Sequence, residues 1–237
     1  MRSTALTMAA LSACVVLAGC GAPADDAPVV RVAEAAKPSP VRALDHVLPT
    51  TEELAVVLGS TGMMGQLVEG GPDMLLAGVG ESDATPADCV SPTYRLQKVV
   101  YQASPVQAVA SRPWAGGSFD GPPTSGFFGV VQFATPGDAQ AFFAASADKW
   151  HRCNGQTVVL HQPEHGADGS SRITDVTVDD RMVSAVVMRD AGSTIQRALG
   201  MAGDCVVDVE VTNTHGAGGA QDAAGVANLM LQKIGIS

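Results

Sequence analysis

The chain has 237 residues, of which 46% are hydrophobic and 4% aromatic, and its formal net charge at pH 7 is −10. This length suits one domain with a sizeable core, and the few aromatic residues predict an interior filled mostly by Ala, Val and Gly. The acidic balance argues against nucleic acid or an anionic bilayer surface as a partner, because both would repel the chain.

Residues 1–19 are predicted to be a secretory signal peptide, because one basic residue near the start precedes an apolar stretch that ends in small residues. The stretch is shorter than the roughly 20 residues that span a bilayer. Leu17-Ala18-Gly19-Cys20 resembles the bacterial lipobox, in which the Cys thiol receives a diacylglycerol before cleavage. We therefore expect an exported protein that a lipid on Cys20 anchors to the outer face of the cytoplasmic membrane. The alternative is a signal peptide cut elsewhere, with Cys20 an ordinary small residue.

Residues 20–43 are rich in Ala, Pro and small acidic residues and show no apolar period. Such a composition is typical of an extended, flexible tether. Residues 44–237 are predicted to form a single folded domain.

The first half of that domain predicts few regular elements. Thr50 or Thr51 can cap a short helix that runs through Leu58, with acidic residues in its first turn. Gly-rich, turn-prone sequence follows, and β-branched and aromatic residues then predict strands within 94–110 and over 127–133. Residues 111–126 are rich in Gly and Pro and predict a loop. Trp114 in that loop either packs against the core or stacks on a ligand.

The clearest prediction is an amphipathic helix from Pro136 to Trp150, which Thr135 caps. Short strands are predicted next, at about 156–160, 171–178, 182–189 and 204–212. In the last of these, polar residues alternate with apolar ones, which is typical of an antiparallel strand with one buried face. A helix at about 219–234 follows. This order favours an α+β fold, an antiparallel sheet with a few packed helices.

Two motifs suggest a cofactor or a metal but lack the local structure that each requires. The glycines at 59, 62 and 65 have dinucleotide-binding spacing, yet Gly70-Gly71-Pro72 would end the helix that the motif needs. The segment His161-Gln162-Pro163-Glu164-His165 matches the sequence pattern of a zinc peptidase motif, but its central Pro excludes the helix that the motif requires. We therefore expect surface histidines in a polar turn, no metal site and no cofactor.

Beyond the signal peptide and Cys20, the cysteines are Cys89, Cys153 and Cys205. In an oxidising compartment three thiols allow one disulfide and one spare thiol. Their number alone leaves all three pairings open.

Two stretches of sequence resemble a known family. The first stretch lies around the predicted helix and contains Val130-Val131-Gln132-Phe133, Asp138-Ala139-Gln140-Ala141-Phe142-Phe143 and Trp150-His151-Arg152-Cys153. The second stretch contains Gln196-Arg197-Ala198-Leu199 followed by Val206-Val207-Asp208-Val209. From about residue 48 to the C-terminus the chain resembles the PknH-like extracellular domain, which comprises the sensor domain of a mycobacterial receptor kinase and many exported lipoproteins. The resemblance implies an α+β domain with a central cleft that binds a ligand and has no catalytic activity.

The resemblance also implies a disulfide between Cys89 and Cys153. The second disulfide of the family aligns with Ile195 and Thr212, so this chain lacks it. Cys205 is then expected to be a buried free thiol on the core face of its strand.

Three functions follow from the sequence. The first is a lipid-anchored, non-enzymatic ligand-binding or sensor-like domain, whose ligand is an unknown small molecule, lipid or glycan. The second is a docking or scaffold lipoprotein that binds another envelope protein. The third is a hydrolase with a site assembled from distant residues, including His161 or His165 with an Asp. No catalytic motif is recognisable, so the first function is the leading prediction and enzymatic activity is not expected.

Overall fold

The structure is a computed structural model, which describes residues 37–117, 124–161, 168–190, 192–213 and 221–236. The predicted signal peptide and Cys20 lie outside these ranges, as do most of the predicted tether and His165.

The described chain forms five α-helices and ten strands. The helices are α1 (Thr51–Leu58), α2 (Val90–Thr93), α3 (Lys98–Tyr101), α4 (Pro136–Cys153) and α5 (Gln221–Ile236), with short 3-10 turns at Asp45–Val47, Pro72–Met74 and Ala87–Cys89. The strands are β1 (Gly62–Met64), β2 (Val68–Gly70), β3 (Ala84–Thr85), β4 (Val106–Gly116), β5 (Thr124–Phe133), β6 (Thr157–Leu160), β7 (Gly169–Val178), β8 (Met182–Arg189), β9 (Thr194–Ala202) and β10 (Cys205–Asn213).

All ten strands join one antiparallel sheet. Nine of them follow the order β1-β4-β5-β10-β9-β8-β7-β6-β3, and β2 pairs with β4 beside β1. The long strands β4, β5, β10, β9, β8 and β7 pair in register over most of their lengths. The predicted α+β class with an antiparallel sheet and a few helices is confirmed.

Helices cover the sheet on both faces, which makes three layers. One face, here called the α4 face, packs against α4 and against the covering segment, defined as residues 75–105. The opposite α5 face packs against α5, α1 and the turn at 45–47. The interior strands therefore bury side chains on both faces.

Capping explains why α1 and α4 begin where they do. Thr50 Oγ1 accepts a hydrogen bond from Glu53 N and the Glu53 carboxylate accepts one from Thr50 N, so a capping box starts α1. Thr135 Oγ1 accepts from Asp138 N at the start of α4. The predicted stripe of α4, Ala139, Phe142, Phe143, Ser146 and Trp150, is buried. Both helices are thus confirmed, and α4 extends three residues past Trp150 to Cys153.

Four sequence-based assignments were wrong or incomplete. Lys98–Tyr101, predicted as part of a strand, forms the single turn α3. Residues 111–116 are the end of β4 rather than a loop, and Trp114 is buried within the α5 face. Strand β9 was missed, and β10 buries both of its faces rather than one.

Candidate ligand-binding groove and the buried ion pairs beneath it

A groove of about 430 Å³ lies between the exposed side of α4 and the covering segment. Its walls combine aliphatic and polar residues. The apolar ones include Val99 and Val100 from the covering segment and Ala141, Phe142 and Ala145 from α4, and the polar ones are Asp88, Ser91, Ser104, Asp138, Ser146 and Lys149. The volume falls within the range of about 300–1,000 Å³ that small-molecule sites occupy. The two exposed alanines are four residues apart on one side of α4, so the helix presents a smooth surface to the groove.

Charged groups stand at the rim of the groove. Lys149 Nζ lies 3.2 Å from Asp88 Oδ1, and this ion pair bridges α4 and the covering segment. Asp138, in the first turn of α4, also lines the groove, and its carboxylate accepts a hydrogen bond from Thr135 Oγ1. The lining residues include no arginine or histidine.

A disulfide and a hydrogen bond hold the two walls together. Cys89 and Cys153 are joined at a sequence separation of 64, which agrees with the pairing that the family resemblance implied. In the chain-entropy model a loop of that length contributes about 4 kcal/mol to stability. Close by, buried Trp150 Nε1 donates to Ser91 Oγ at 2.9 Å. The wall that α2 contributes is thus fixed to the last turns of α4.

Beneath the covering segment, the Asp208 carboxylate accepts three hydrogen bonds on the α4 face. Leu96 N donates to Oδ2 at 2.8 Å, Tyr101 Oη donates to Oδ2 at 3.0 Å, and Arg197 Nη2 donates to Oδ1 at 2.8 Å. All four residues are buried. Burial, together with the negative charge of Asp208, raises the pKa of Tyr101 well above its ordinary value. Asp208 therefore fixes two points of the covering segment to the sheet.

The turn at Leu96 needs this support. Leu96 has a φ of 46°, a left-handed conformation that costs free energy for a residue with a side chain. Its side chain packs over Gly129 of β5, where an added Cβ would lie 2.4 Å from Leu96 Cδ1. The glycine thus creates the space in which the turn rests on the sheet.

The ion pairs extend along β9 and β10 from Asp208. Fully buried Arg197 lies 3.5 Å from Glu210 through Nη1, and Glu210 also pairs with Arg95 of the covering segment. Arg95 stacks on the Phe127 ring, with its guanidinium carbon 4.2 Å from the ring centroid. Burial lowers the pKa of Arg95, and the charge of Glu210 opposes this shift. In the sequence, the stretches around Arg197 and Asp208 serve only to indicate the family, and the buried ion pair between these two residues was not predicted.

The groove contacts this network at two residues. Ser91, which lines the groove, accepts a hydrogen bond from Arg197 Nη2 through its backbone oxygen at 3.2 Å. Phe142, also in the lining, stacks on Tyr101 with ring centroids 4.6 Å apart. The groove floor therefore rests directly on the groups that hold the covering segment to the sheet.

The N-terminal part of the described chain joins the domain beside the groove. Ser39 N donates to the carbonyl of Ala134, and Ala134 N donates to the carbonyl of Pro105, a residue of the groove lining. Arg42 pairs with Asp204 in the turn between β9 and β10. Hydrogen bonds to the rest of the domain are thus present from Ser39, five residues before the predicted domain start at residue 44.

The remaining cysteine, Cys205, is a buried free thiol on the α5 face, as expected. Burial raises the pKa of the Cys205 thiol to about 12, and the negative charge of neighbouring Asp204 adds to this shift. The positions that align with the family's second disulfide, Ile195 and Thr212, lie directly opposite each other on β9 and β10.

The histidine region lies at the β3–β6 edge, far along the sheet order from β4 and β5. His161 Nδ1 lies 3.2 Å from Asp168 Oδ2 and its Nε2 lies 3.3 Å from Thr85 Oγ1. All three side chains are exposed, so water competes for each of these contacts. Within the described ranges no group of three or more His, Cys, Asp or Glu residues could hold a metal ion.

The comparison with protein families agrees with the fold. The model of the PknH-like extracellular domain matches residues 39–233. The chain belongs to this family. The match begins at Ser39, which bonds to Ala134 just after β5, and it includes every residue of the groove and of the ion pairs beneath it.

Proteins similar to this chain include serine/threonine-protein kinases. The serine/threonine-protein kinase PknH of Mycobacterium bovis is 28% identical over 198 residues, which cover 76% of this chain and 30% of the kinase. PknH of Mycobacterium tuberculosis is 28% identical over 76% of this chain and 29% of the kinase. The chain thus spans less than a third of the kinases it matches.

A solved structure shares the fold. The crystal structure of the extracellular domain of PknH from Mycobacterium tuberculosis has a TM-score of 0.69 at 23% identity, and the alignment covers 85% of this chain and 99% of that one. None of the helices in the described part of this chain has both the length and the apolar character needed to cross a bilayer.

Proposed function

We propose that this protein is a lipid-anchored, non-enzymatic sensor-type domain that binds a ligand in the groove between α4 and the covering segment. The observation that carries the proposal is the groove itself: it is lined by both aliphatic and polar side chains, it has a volume suited to a small molecule, and it rests on a buried ion-pair network. We take this groove as the cleft that the family resemblance implies.

Membership of a family of extracellular domains supports a location outside the cytoplasmic membrane. The lipobox-like sequence ending at Cys20 supports attachment through an N-terminal lipid. Acyl chains alone must then hold the protein, because its net charge of −10 gives no attraction to anionic headgroups.

Two measurements test the two halves of this proposal. Mass spectrometry of the mature N-terminus should find a diacylglycerol on Cys20, and an unmodified N-terminus would contradict the anchor. A thermal-shift screen of envelope lipids, glycans and small metabolites should find a ligand that stabilises the chain. Ala145→Trp, which fills the groove, should abolish that shift, whereas Ala144→Trp should not. Ala144 is also exposed on α4 but lies outside the groove lining, so it is the matched control.

A second candidate is docking to another envelope protein. It is favoured by two exposed apolar side chains, Val56 on α1 and Met63 on edge strand β1, which are 85% and 78% exposed. Crosslinking in intact cells through residues next to Met63 should then capture one stoichiometric partner. Recovery of monomer alone, together with ligand binding in the groove, would favour the first function.

A further inference from the structure

We infer that the groove binds the aliphatic chain of an envelope lipid that is separate from the protein's own anchor. This inference rests on the proposed function and adds the chemical class of the ligand. It follows from the walls of the groove, from the charges at its rim and from its position relative to the N-terminal segment.

The walls suit a flexible hydrocarbon chain. Four alanines, three valines and a proline line the groove: Ala87, Val90, Val99, Val100, Ala103, Pro105, Ala141 and Ala145. Its one aromatic residue, Phe142, already stacks on Tyr101, so a flat ring or a sugar would find little aromatic surface to stack on. The aliphatic residues reward the burial of methylene groups, while Ser91, Ser104 and Ser146, which also line the groove, leave polar surface for a headgroup.

The charges at the rim disfavour an anionic ligand. Lys149 is neutralised by Asp88, and Asp138 adds a negative charge at the N-terminal end of α4. With no arginine in the lining, a free phosphate or carboxylate would meet net negative charge. A ligand with an uncharged or zwitterionic head and an apolar tail meets no such repulsion.

The position of the groove brings it within reach of a membrane. Pro105, in the lining, and Ser39, near the start of the described chain, both bond to the backbone of Ala134. Between Cys20 and Ser39 a fully extended chain spans at most about 65 Å. A lipid on Cys20 would thus keep Ser39, and the groove beside it, within about that distance of a bilayer. Withdrawal of the anchor's own acyl chain into the groove would weaken attachment, since stable anchoring needs more than one chain. We therefore assign the groove to a separate lipid.

Calorimetry with lysophosphatidylcholine tests the inference. The mature chain from residue 20, carrying Cys20→Ser, would be titrated with the octanoyl, decanoyl and dodecanoyl forms below their micelle concentrations. We expect affinity to rise with chain length, by up to about fourfold for each methylene that is fully buried. Ala145→Trp should weaken binding at least tenfold, and Ala144→Trp should leave it within twofold. Unfolding midpoints of both variants would confirm that each is folded.

Several results would overturn the inference. Affinity independent of chain length, or equal binding by both tryptophan variants, would show that the hydrocarbon does not occupy the groove. A sugar or a metabolite that binds there instead would leave the proposed function standing and refute the lipid class. The lipidated chain in phosphatidylcholine vesicles should photocrosslink a lipid at position 145 as strongly as the Cys20→Ser chain does. Crosslinking only to its own anchor would refute the choice of a separate lipid.

Discussion

Replacing Asp208 by Asn should destabilise the domain severely, because this carboxylate accepts three buried hydrogen bonds and balances the charge of Arg197. Asn keeps the shape and one acceptor oxygen, but its NH₂ group would face donors from Leu96, Tyr101 or Arg197. Breaking one side of a buried ion pair costs about 3–5 kcal/mol, and we expect a loss of about 4 kcal/mol. That is a large share of the roughly 5–15 kcal/mol that stabilises a typical domain.

Urea unfolding, followed by tryptophan fluorescence, measures this loss. The matched control is Asp148→Asn, which removes the carboxylate of an exposed pair with Arg152 on α4. That change should alter stability by no more than about 0.5 kcal/mol. A loss below about 1 kcal/mol for Asp208→Asn, at an unchanged denaturant slope, would refute the reasoning.

A double-mutant cycle separates the ion pair from the hydrogen bonds. Arg197→Met removes the buried cation, so Asp208→Asn in that background no longer leaves Arg197 without its carboxylate partner. Asn can still accept a hydrogen bond from Leu96 N or from Tyr101 Oη. We expect the double variant to be at least 2 kcal/mol more stable than the sum of the single losses predicts, since contacting residues couple by about 0.5–3 kcal/mol. Additive losses would show that charge pairing between the two residues contributes little.

Three further predictions concern the cysteines and the turn at Asp204. Cys205 should resist iodoacetamide at pH 8 in the native state and react fully in urea, because its thiol is buried and has a raised pKa. Rapid labelling of the native protein would contradict the burial of this thiol. The double change Ile195→Cys and Thr212→Cys should form a disulfide under oxidising conditions and raise the unfolding midpoint. The reason is that the two positions lie directly opposite each other on neighbouring strands. Free thiols in the folded variant would count against this strand register. Although burial raises the pKa of Asp204, hydrogen bonds from neighbouring side chains and the charge of Arg42 lower it below its ordinary value. The stability that Asp204 contributes should therefore be complete above its unfolded pKa of about 4 and be lost as the pH falls through the folded pKa. The free energy of unfolding of Asp204→Asn should accordingly approach that of the unchanged chain below pH 4, and a difference that does not vary with pH would contradict this linkage.

The helices could be predicted where local signals agree. In α4, the cap at Thr135 and an apolar stripe of helical period indicate the same element, and the structure contains it. In α3, by contrast, Val99, Val100 and Tyr101 have high strand propensity, yet tertiary contacts decide their conformation. Tyr101 must reach Asp208, which lies 107 residues further along the chain, and no local pattern encodes that contact.

Strand β4 was missed beyond residue 110 because Pro113 lies in its second half. Proline cannot donate to a ladder, so it usually ends a strand. Here β1 and β2 pair with β4 on either side of this point, over Trp114–Gly116 and Val109–Ser111. Pro113 thus falls between the two stretches that pair with β1 and β2, and its carbonyl still accepts a hydrogen bond from Gly65 N.

The groove could not be derived from the sequence, although most of its parts could. In the sequence, the exposed alanines of α4 look like part of the solvent-facing side of an amphipathic helix. They line a groove only because the covering segment lies opposite them in the structure. Strand β9 was not predicted, because two polar residues, Gln196 and Arg197, follow each other in it and break the alternation that is typical of a half-buried strand. Both are buried, and their partners, Asp222 and Asp208, come from elements later in the chain.

The junction at residues 39–42 has a mechanical consequence. Ser39 N binds the carbonyl of Ala134 just after β5, Arg42 N binds the Gln132 side chain, and the Arg42 guanidinium pairs with Asp204. A pull on the N-terminal segment would therefore load the ends of interior strands β5 and β10 rather than peel an edge strand from the sheet. Several hydrogen bonds would share that load, whereas the hydrogen bonds of an edge strand under tension break one after another. The domain is attached at a place where tension is resisted by its most heavily bonded strands.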